Sequence, residues 1–439
     1  MEGMLLHLRE LGKDVRVRPT AFSNMYGLRF LRFFDSLCDF GFARSNKMYL
    51  PSEGIETLPE SIWKMRCLKQ LRLHDCPYLE MLQEISDDCM SSSLEKLDIY
   101  SCPSLKSISA SIWKKNNLKH LTIEYCPDLE KLHEVSDDYM SSSLEVLEIR
   151  DCAILKSIPE SIWKIRCLKD LTLKDCPNLE NLQEISDDCM SSENLPMNLR
   201  TLYLSGCEKL KSIPVLPSRL NYLDASNCAS LDASICLSLG TMSSWWDLQQ
   251  VDDDFERCQA VYPGNEIPFR HQTDGNAFSI LFPANWFLIH DPLCRFLISI
   301  VFTVNGSLPH IDFNIDLYDA DRLHYRVWKS YALETDGNMI AYRCETDHVF
   351  IGKAILNLKD VFGEEWTSVC SNIIDVSFRV SIEGDRVIPC IKKVGLKMWG
   401  TASKNKRGYS ECSDQTIGNQ DESHDPHINS KRIKAQSNN

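Results

Sequence analysis

Glycine and proline are scarce in this chain, 18 of each among 439 residues. Collagen-like and low-complexity architectures are thereby excluded, since both need far more. No C-x-x-C pair occurs among the 19 cysteines, and no two histidines stand at H-x-x-x-H spacing. Neither a zinc-ribbon nor a thioredoxin-type signature is therefore present. There is no G-x-x-x-x-G-K-[ST] segment to cradle a nucleotide phosphate. The longest strongly apolar run, Cys294 to Val304, falls far short of the ~20 residues a membrane helix requires. The start, MEGMLLHLRELGKD, has an acidic second residue and too short an apolar stretch for a secretory signal. Excess positive charge is also missing. A net charge of −14 argues against a general nucleic-acid or anionic-membrane binder. What remains, 43% hydrophobic and 25% charged residues, is the composition of a soluble globular protein. The length allows two or three domains, and the odd number of cysteines suits a reducing compartment.

What is present in abundance is repetition. LPESIWKMRCLKQLRLHDCPYLEMLQEISDDCM, from position 58, returns nearly verbatim as IPESIWKIRCLKDLTLKDCPNLENLQEISDDCM from position 158, with a looser copy between. The true unit is half of this block. Leu68…Leu71-Arg-Leu73…Cys76…Leu79 is followed by equivalents beginning at Leu94, Leu118, Leu144, Leu168, Leu199 and Leu220. Successive starts differ by 26, 24, 26, 24, 31 and 21 residues. This is L-x-x-L-x-L-x-x-[N/C]-x-x-L, the leucine-rich repeat. A further copy falls at Leu28-Arg-Phe-Leu31-Arg-Phe33. The expected fold is an α/β solenoid over 1–235, a horseshoe of about seven or eight units with a parallel concave sheet.

The spacing has a physical cause. Leu71 and Leu73 alternate with Arg72 and His74, which marks a short strand with one buried face. The cysteine of each unit (76, 102, 126, 152, 176, 207 and 228) lies where the chain leaves that strand. Its small apolar side chain suits an interior where a polar one would need partners. The residues flanking the buried leucines point to the concave side. Arg72, Asp98, Thr122, Glu148, Thr172, Tyr203 and Asp224 form one column. His74, Tyr100, Glu124, Arg150, Lys174, Ser205 and Ser226 form the next. Both columns vary although the leucine framework hardly changes, as Arg72-Leu-His74 against Thr172-Leu-Lys174 illustrates. A recognition surface has this pattern, and so does drift at solvent-exposed sites. Seven strands ~4.8 Å apart span roughly 30 Å, wide enough for a protein interface of ~800 Å² per partner. Mixed charge with tyrosines at 100 and 203 suits a protein ligand better than a small molecule.

Other constellations point to no chemistry. The pairs Asp87-Asp88, Asp137-Asp138 and Asp187-Asp188 recur 50 residues apart without the dense Asp/Asn/Gly spacing of a calcium loop. They read as solvated loops copied by duplication. No Ser/His/Asp or Cys/His arrangement is identifiable. No metal, cofactor or catalytic residue is expected, and the chain reads as a non-enzyme.

Beyond the repeats, 236–257 reads as a cap and connector in which Trp245 and Trp246 cover the open end of the repeat core. Over 258–400 the period changes to two. Ile311-Asp-Phe313-Asn-Ile315-Asp-Leu317 and Val376-Ser-Phe378-Arg-Val380-Ser-Ile382 alternate cleanly, and shorter segments add further strands. With turn residues at Asn305-Gly306, Asp336-Gly337 and Glu383-Gly384, these predict an all-β antiparallel sandwich. Residues 401–439 are polar and expected to be disordered. Two small basic clusters, Lys404/Lys406/Arg407 and Lys431/Arg432/Lys434, read as a solvated tail, with nuclear import as the alternative.

Two flanking features narrow the family. Gly3-Met-Leu-Leu-His-Leu and Ala21-Phe22-Ser-Asn-Met25-Tyr-Gly-Leu28 resemble the start of the repeat region in plant TIR–nucleotide-binding–leucine-rich-repeat disease resistance proteins. Pro263-Gly264-Asn-Glu266-Ile267-Pro268 resembles the motif that opens the post-repeat domain of the same receptors, and Ile391-Lys-Lys-Val394-Gly395-Leu396 resembles its last strand. The resemblance covers about residues 3–400 and implies a jelly-roll/Ig-like fold for 258–400. It also implies innate-immune recognition of a pathogen effector or a guarded host protein in the cytoplasm, the nucleus being the alternative that the basic clusters of the tail leave open. The implied surfaces are the concave face and the sandwich loops, such as Asp319–His324. The family's TIR and nucleotide-binding modules have no counterpart here, so signalling would pass through a separate subunit, such as a full-length receptor. Alternatives are an adaptor presenting substrates to a ubiquitin ligase, or a truncated non-signalling paralogue acting as a decoy.

Overall fold

The structure is a computed structural model. It describes residues 3–7, 56–82, 93–112, 117–134, 143–182, 198–231, 259–267, 271–281, 293–305, 310–319, 324–332, 343–383, 390–399 and 430–432, apart from a few single positions, and most of 22–34. The chain divides into two compact units, Met1–Asp247 and Leu248–Asn439. Among the described residues no helix is long and apolar enough to cross a membrane.

The first unit is built of parallel strands. In chain order they are β1 (Gly3–His7), β2 (Phe30–Phe34), β3 (Gln70–His74), β4 (Met81–Leu82), β5 (Lys96–Tyr100), β6 (Ser107–Ile108), β7 (His120–Glu124), β8 (Lys131–Leu132), β9 (Val146–Arg150), β10 (Asp170–Lys174), β11 (Thr201–Tyr203) and β12 (Tyr222–Asp224). The longer ones pair in the order β1-β2-β3-β5-β7-β9-β10-β11-β12, while β4-β6-β8 form a separate small sheet. From β2 onward, register aligns Leu31, Leu71, Leu97, Leu121, Leu147, Leu171, Leu202 and Leu223 across the large sheet. These leucines are buried, as are Leu73, Ile99, Ile123, Ile149 and Leu173 two residues on. Each leucine of the repeat therefore packs on its counterpart in the next unit, and the repeats have a common core. The repeat at 28–33 forms β2 as expected. β1 adds a strand in which Met4 and Leu6 stand at the register of Leu31 and Phe33.

Among the described residues a helical turn stands ahead of three of the strands: α1 (Glu60–Trp63) before β3, a 3₁₀ turn (Ala110–Ile112) before β7, and α2 (Glu160–Trp163) before β10. Ile62, Trp63, Ile112, Ile162 and Trp163 are buried, so these turns seal the side of the core.

The repeat cysteines are buried and unpaired in disulfides. The thiols of Cys76, Cys102, Cys126, Cys152 and Cys176 each face the carbonyl two residues earlier, at 3.4–3.6 Å. Those of Cys207 and Cys228 donate to the previous unit's Leu173 and Leu204 carbonyls at 3.1 Å. The residue just before each cysteine is left-handed: Asp75, Ser101, Tyr125, Asp151, Asp175, Gly206 and Asn227, with φ between 50° and 79°. This kink ends the strand. It also aims an N–H at the next unit: Asp75 to Tyr100, Ser101 to Glu124, Tyr125 to Arg150, Asp151 to Lys174, Asp175 to Ser205 and Gly206 to Ser226, at 2.8–3.1 Å. At Gly206 a Cβ would lie 2.3 Å from the Asp175 carboxylate, so a larger residue there requires that side chain to move.

The second unit contains β13 (Gln259–Pro263), β14 (His271–Asp274), β15 (Ala277–Leu281), β16 (Leu293–Asn305), β17 (His310–Asp319), β18 (His324–Ala332), β19 (Arg343–Asn357), α3 (Leu358–Phe362), α4 (Trp366–Ser371), β20 (Ile373–Glu383), β21 (Cys390–Trp399) and β22 (Ser430–Arg432). One sheet runs β13-β19-β16-β21-β14 and the other β15-β20-β17-β18-β22. The pairings are antiparallel except for β22 along β18. Phe296, Ile298, Ile300 and Phe302 from the first sheet share a core with Ile311, Phe313, Ile315, Val376 and Phe378 from the second. The period-two segments at 311–317 and 376–382 thus lie within β17 and β20. Asn305 ends β16 and Glu383 ends β20, while Gly306, Asp336, Gly337 and Gly384 of the expected turns lie outside the described residues. β22 falls within the stretch expected to be disordered; the rest of 401–439, Trp245, Trp246 and the Asp-Asp loops lie outside the described residues.

Candidate functional site

The two columns read from the sequence stand on adjacent strands of one sheet. Their backbone is set by the leucine register, so on the strands each residue stands beside its equivalent in the next unit. Arg72 Nε donates to Asp98 Oδ2 at 3.0 Å, and Gln70 Nε2 donates to the same oxygen at 3.1 Å. Lys96 Nζ stands 3.4 Å from the other carboxylate oxygen. The Arg72 guanidinium also lies 5.6 Å from the Phe30 ring centroid, within cation–π range. Three units on, Arg150 lies between Glu124 (3.6 Å) and Glu148 (3.9 Å). Charges on this face are therefore laced across strands.

The second column begins with an aromatic cluster. His74 stacks on Tyr100 with ring centroids 4.5 Å apart and planes at 14°. Tyr125 meets Tyr100 edge-on at 5.2 Å. Tyr100 and Tyr125 remain 36% and 37% exposed, unusual for large side chains in this unit. Asp75 Oδ2 lies 2.8 Å from His74 Nδ1. Burial pushes the Tyr100 hydroxyl pKa up, and Tyr125, Glu124, Asp75 and Asp151 add to the effect. Burial also raises the Glu124 carboxyl; Arg150 opposes this, and Glu148, Asp151 and Asp98 reinforce it. Asp151 and Asp175 are raised by burial as well, with Asp175 acting on Asp151 and Asp224 on Asp175. Carboxylates crowd the strand ends here.

The remaining predicted residues divide. Thr122 and Tyr203 are half-buried, and Tyr203 packs on Tyr222 with centroids 4.7 Å apart. Thr172, Lys174, Asp224, Ser205 and Ser226 are nearly enclosed. The accessible part of the face is therefore the stretch from Arg72 to Arg150. The sequence columns omitted the left-handed position, which brings Tyr125 and the aspartates 75, 151 and 175 to the same edge. A signal was available: Asp, Asp, Asp, Gly and Asn at 75, 151, 175, 206 and 227 are the residues that tolerate this conformation.

The post-repeat motif serves the second unit's own framework. Pro263 ends β13 opposite His348. The Gly264 N–H donates to the Asp347 carbonyl at 2.9 Å, and a Cβ at Gly264 would meet Val349 at 3.3 Å. Lys393 Nζ donates to the Asn265 carbonyl at 3.2 Å. Ile267 is buried and Glu266 exposed; Pro268 and the 320–323 loop lie outside the described residues. Among the described residues no group of three or more His, Cys, Asp or Glu side chains is placed to hold a metal ion.

No family model and no curated protein matches the chain. Among solved structures it is similar to the leucine-rich repeat domain of the type III effector XopL, at 22% identity over 42% of this chain and 70% of that one, with a TM-score of 0.26. It is also similar to the plant peptide hormone receptor RGFR1 in complex with RGF2, at 14% identity, with a TM-score of 0.12. That match covers 55% of this chain and 57% of the receptor. A third similarity is to the enzymatically active domain of bacteriophage CBA120 tailspike protein 4, at 10% identity over 84% of this chain and 49% of that one, with a TM-score of 0.15. What makes the first unit a leucine-rich-repeat solenoid is its own register: parallel strands in chain order, with leucine stacked on leucine and a buried cysteine closing seven of the large sheet's strands, from β3 to β12.

Proposed function

We propose that the concave face from Arg72 to Arg150 is a protein-recognition surface, and that this chain is the sensing part of a plant innate-immunity receptor. In this reading the second unit is a β-sandwich of the jelly-roll/Ig-like type and contributes its loops to the same recognition. The ligand is a pathogen effector or a guarded host protein met in the cytoplasm or nucleus. The reading assigns the chain no catalysis and no cofactor. One observation carries it: charged and aromatic side chains on neighbouring strands are held in fixed mutual geometry by a rigid leucine framework while keeping part of their surface exposed. Preorganised side chains lose little entropy on binding, and exposed tyrosine and arginine are the residues that dominate protein interfaces.

The test compares proteins captured from plant tissue by the wild-type chain and by a variant carrying Asp98→Ala, Tyr100→Ala, Glu124→Ala and Glu148→Ala, with thermal melting to confirm folding. A specific partner lost with the variant supports the reading. Identical recovery by both rejects this face.

A further inference from the structure

We infer that the His74–Tyr100–Tyr125 cluster receives an arginine or lysine side chain of a protein partner. The inference rests on the concave face being a protein-binding surface, and adds the chemistry of what binds there.

The aromatic geometry carries it. Tyr100 and Tyr125 adjoin, and each is more than one-third exposed. Burial of a tyrosine is favourable, so exposure of two neighbouring rings at one edge of a well-packed sheet leaves a contact surface unused within the unit. Tyr125 also holds a left-handed backbone at φ 54°, a position filled by Asp, Ser, Gly or Asn in the units that follow β3, β5, β9, β10, β11 and β12. A bulky residue there is disfavoured.

The surroundings set the sign of the partner's charge. The left-handed column contains Asp75, Asp151 and Asp175 but no base. Glu124 stands beside Tyr125. The cations nearby are committed or enclosed: Arg150 lies between Glu124 and Glu148, and Lys174 is only 9% exposed. An anionic ligand would be repelled. An apolar one would strip water from the partly exposed carboxylates and put nothing polar in its place, which is costly. A guanidinium satisfies both features, since it stacks on an aromatic face and donates to a carboxylate in the same plane. An ammonium does so less completely.

The test uses fluorescence anisotropy with a labelled Gly/Ser peptide carrying three arginines, the same peptide with lysines, and one with citrullines in place of the arginines. The wild-type chain should bind the arginine peptide best and the citrulline peptide not measurably. The Tyr100→Ala/Tyr125→Asn variant changes no charge, and Asn accepts the left-handed backbone. It should bind the arginine peptide about tenfold more weakly, the size of two partly desolvated cation–π contacts. Glu80→Gln/Glu130→Gln, which removes charge from an exposed position after β3 and after β7, should bind as wild type. Equal binding by the tyrosine variant overturns the inference, as does an equal loss in the Glu80/Glu130 variant, which would indicate attraction to net charge alone. Should the double variant unfold early, Tyr100→Ala by itself carries the same comparison. If partner capture depends on Asp98 and Glu148 while the peptide ignores the tyrosines, this inference falls and the protein-binding reading stands.

Discussion

The carboxylate of Glu134 accepts the backbone N–H of Ser161 at 2.9 Å, while its second oxygen accepts that of Glu160 at 2.8 Å. One repeat thus caps the helix of the next. Helix α2 starts behind Pro159, which supplies no capping side chain, and its first N–H groups have no partner within the helix. Glu134→Ala should destabilise the first unit by about 1 kcal/mol, the typical worth of an N-cap. Glu134→Gln retains an acceptor but loses the charge assistance, so it should fall between. Urea unfolding measures both; equal stability of Glu134→Ala and wild type would show the cap to be dispensable.

Thiol reactivity should follow position in the repeat. Cys67, Cys167 and Cys390 are exposed. The repeat thiols are enclosed: burial pushes those of Cys207 and Cys228 up, and the neighbouring Cys102 thiol together with burial does the same for Cys126. In the second unit burial pushes Cys370 up to about 12. Because the thiolate is the reactive form, pulse alkylation of the native protein followed by peptide mass spectrometry should label Cys67, Cys167 and Cys390 before the other described cysteines. Cys102, Cys126 and Cys152 should stay unlabelled until denaturant is added. Early labelling of Cys126 would mean that the ladder opens locally.

The leucines were legible because burial is periodic: Leu71, Leu97 and Leu121 cannot shift by one residue without turning the whole strand inside out. The cysteine ladder followed from the same spacing. Other features depend on contacts that no local pattern encodes. Glu134 lies 26 residues before the helix it caps, and nothing in its neighbourhood distinguishes it from Glu130. Tyr125 hides the left-handed position because tyrosine does not advertise positive φ. Thr172 and Lys174 stand where Arg72 and His74 do, yet are buried, since alternation fixes which way a side chain points and not what surrounds it. β1 carries Met4 where β2 carries the framework Leu31, and no cysteine follows it at the repeat's position. The turns α3 and α4 are too short for a helical period to show.

Asp175 gives a pH test. Its carboxyl is raised above the ordinary aspartate value of 3.8, first by burial, with Asp224 adding and Lys174 and Arg150 opposing. A raised carboxyl binds its proton more tightly in the folded state. Stability from this group therefore falls as pH rises from 3.8 through the raised value, and the penalty is complete above it. Asp175→Asn removes the charge and keeps a residue that tolerates φ 52°. It should stabilise the chain at neutral pH by on the order of 0.5 kcal/mol, after allowing for solvent screening of a partly exposed group. The gain should vanish below pH 3.8. Urea midpoints at neutral and acid pH measure it; a gain that persists in acid would assign the effect to backbone conformation instead.

Tyr125 carries two opposed terms that a double-mutant cycle separates. Its left-handed backbone costs about 1–2 kcal/mol for an ordinary side chain and less for Asn. Its edge contact with Tyr100 is worth about 0.5–1.5 kcal/mol. Tyr125→Asn alone relieves the first and forfeits the second, so its net effect on stability should be small. In a Tyr100→Ala background the ring contact is already gone, and Tyr125→Asn should then stabilise by about 1 kcal/mol. A coupling near zero between the two substitutions would mean that the rings contribute nothing to each other. If instead the coupling is present, the unit keeps a strained tyrosine at a site where asparagine would relax the backbone. The cost is then intelligible as the means of holding two rings at the edge of the recognition face.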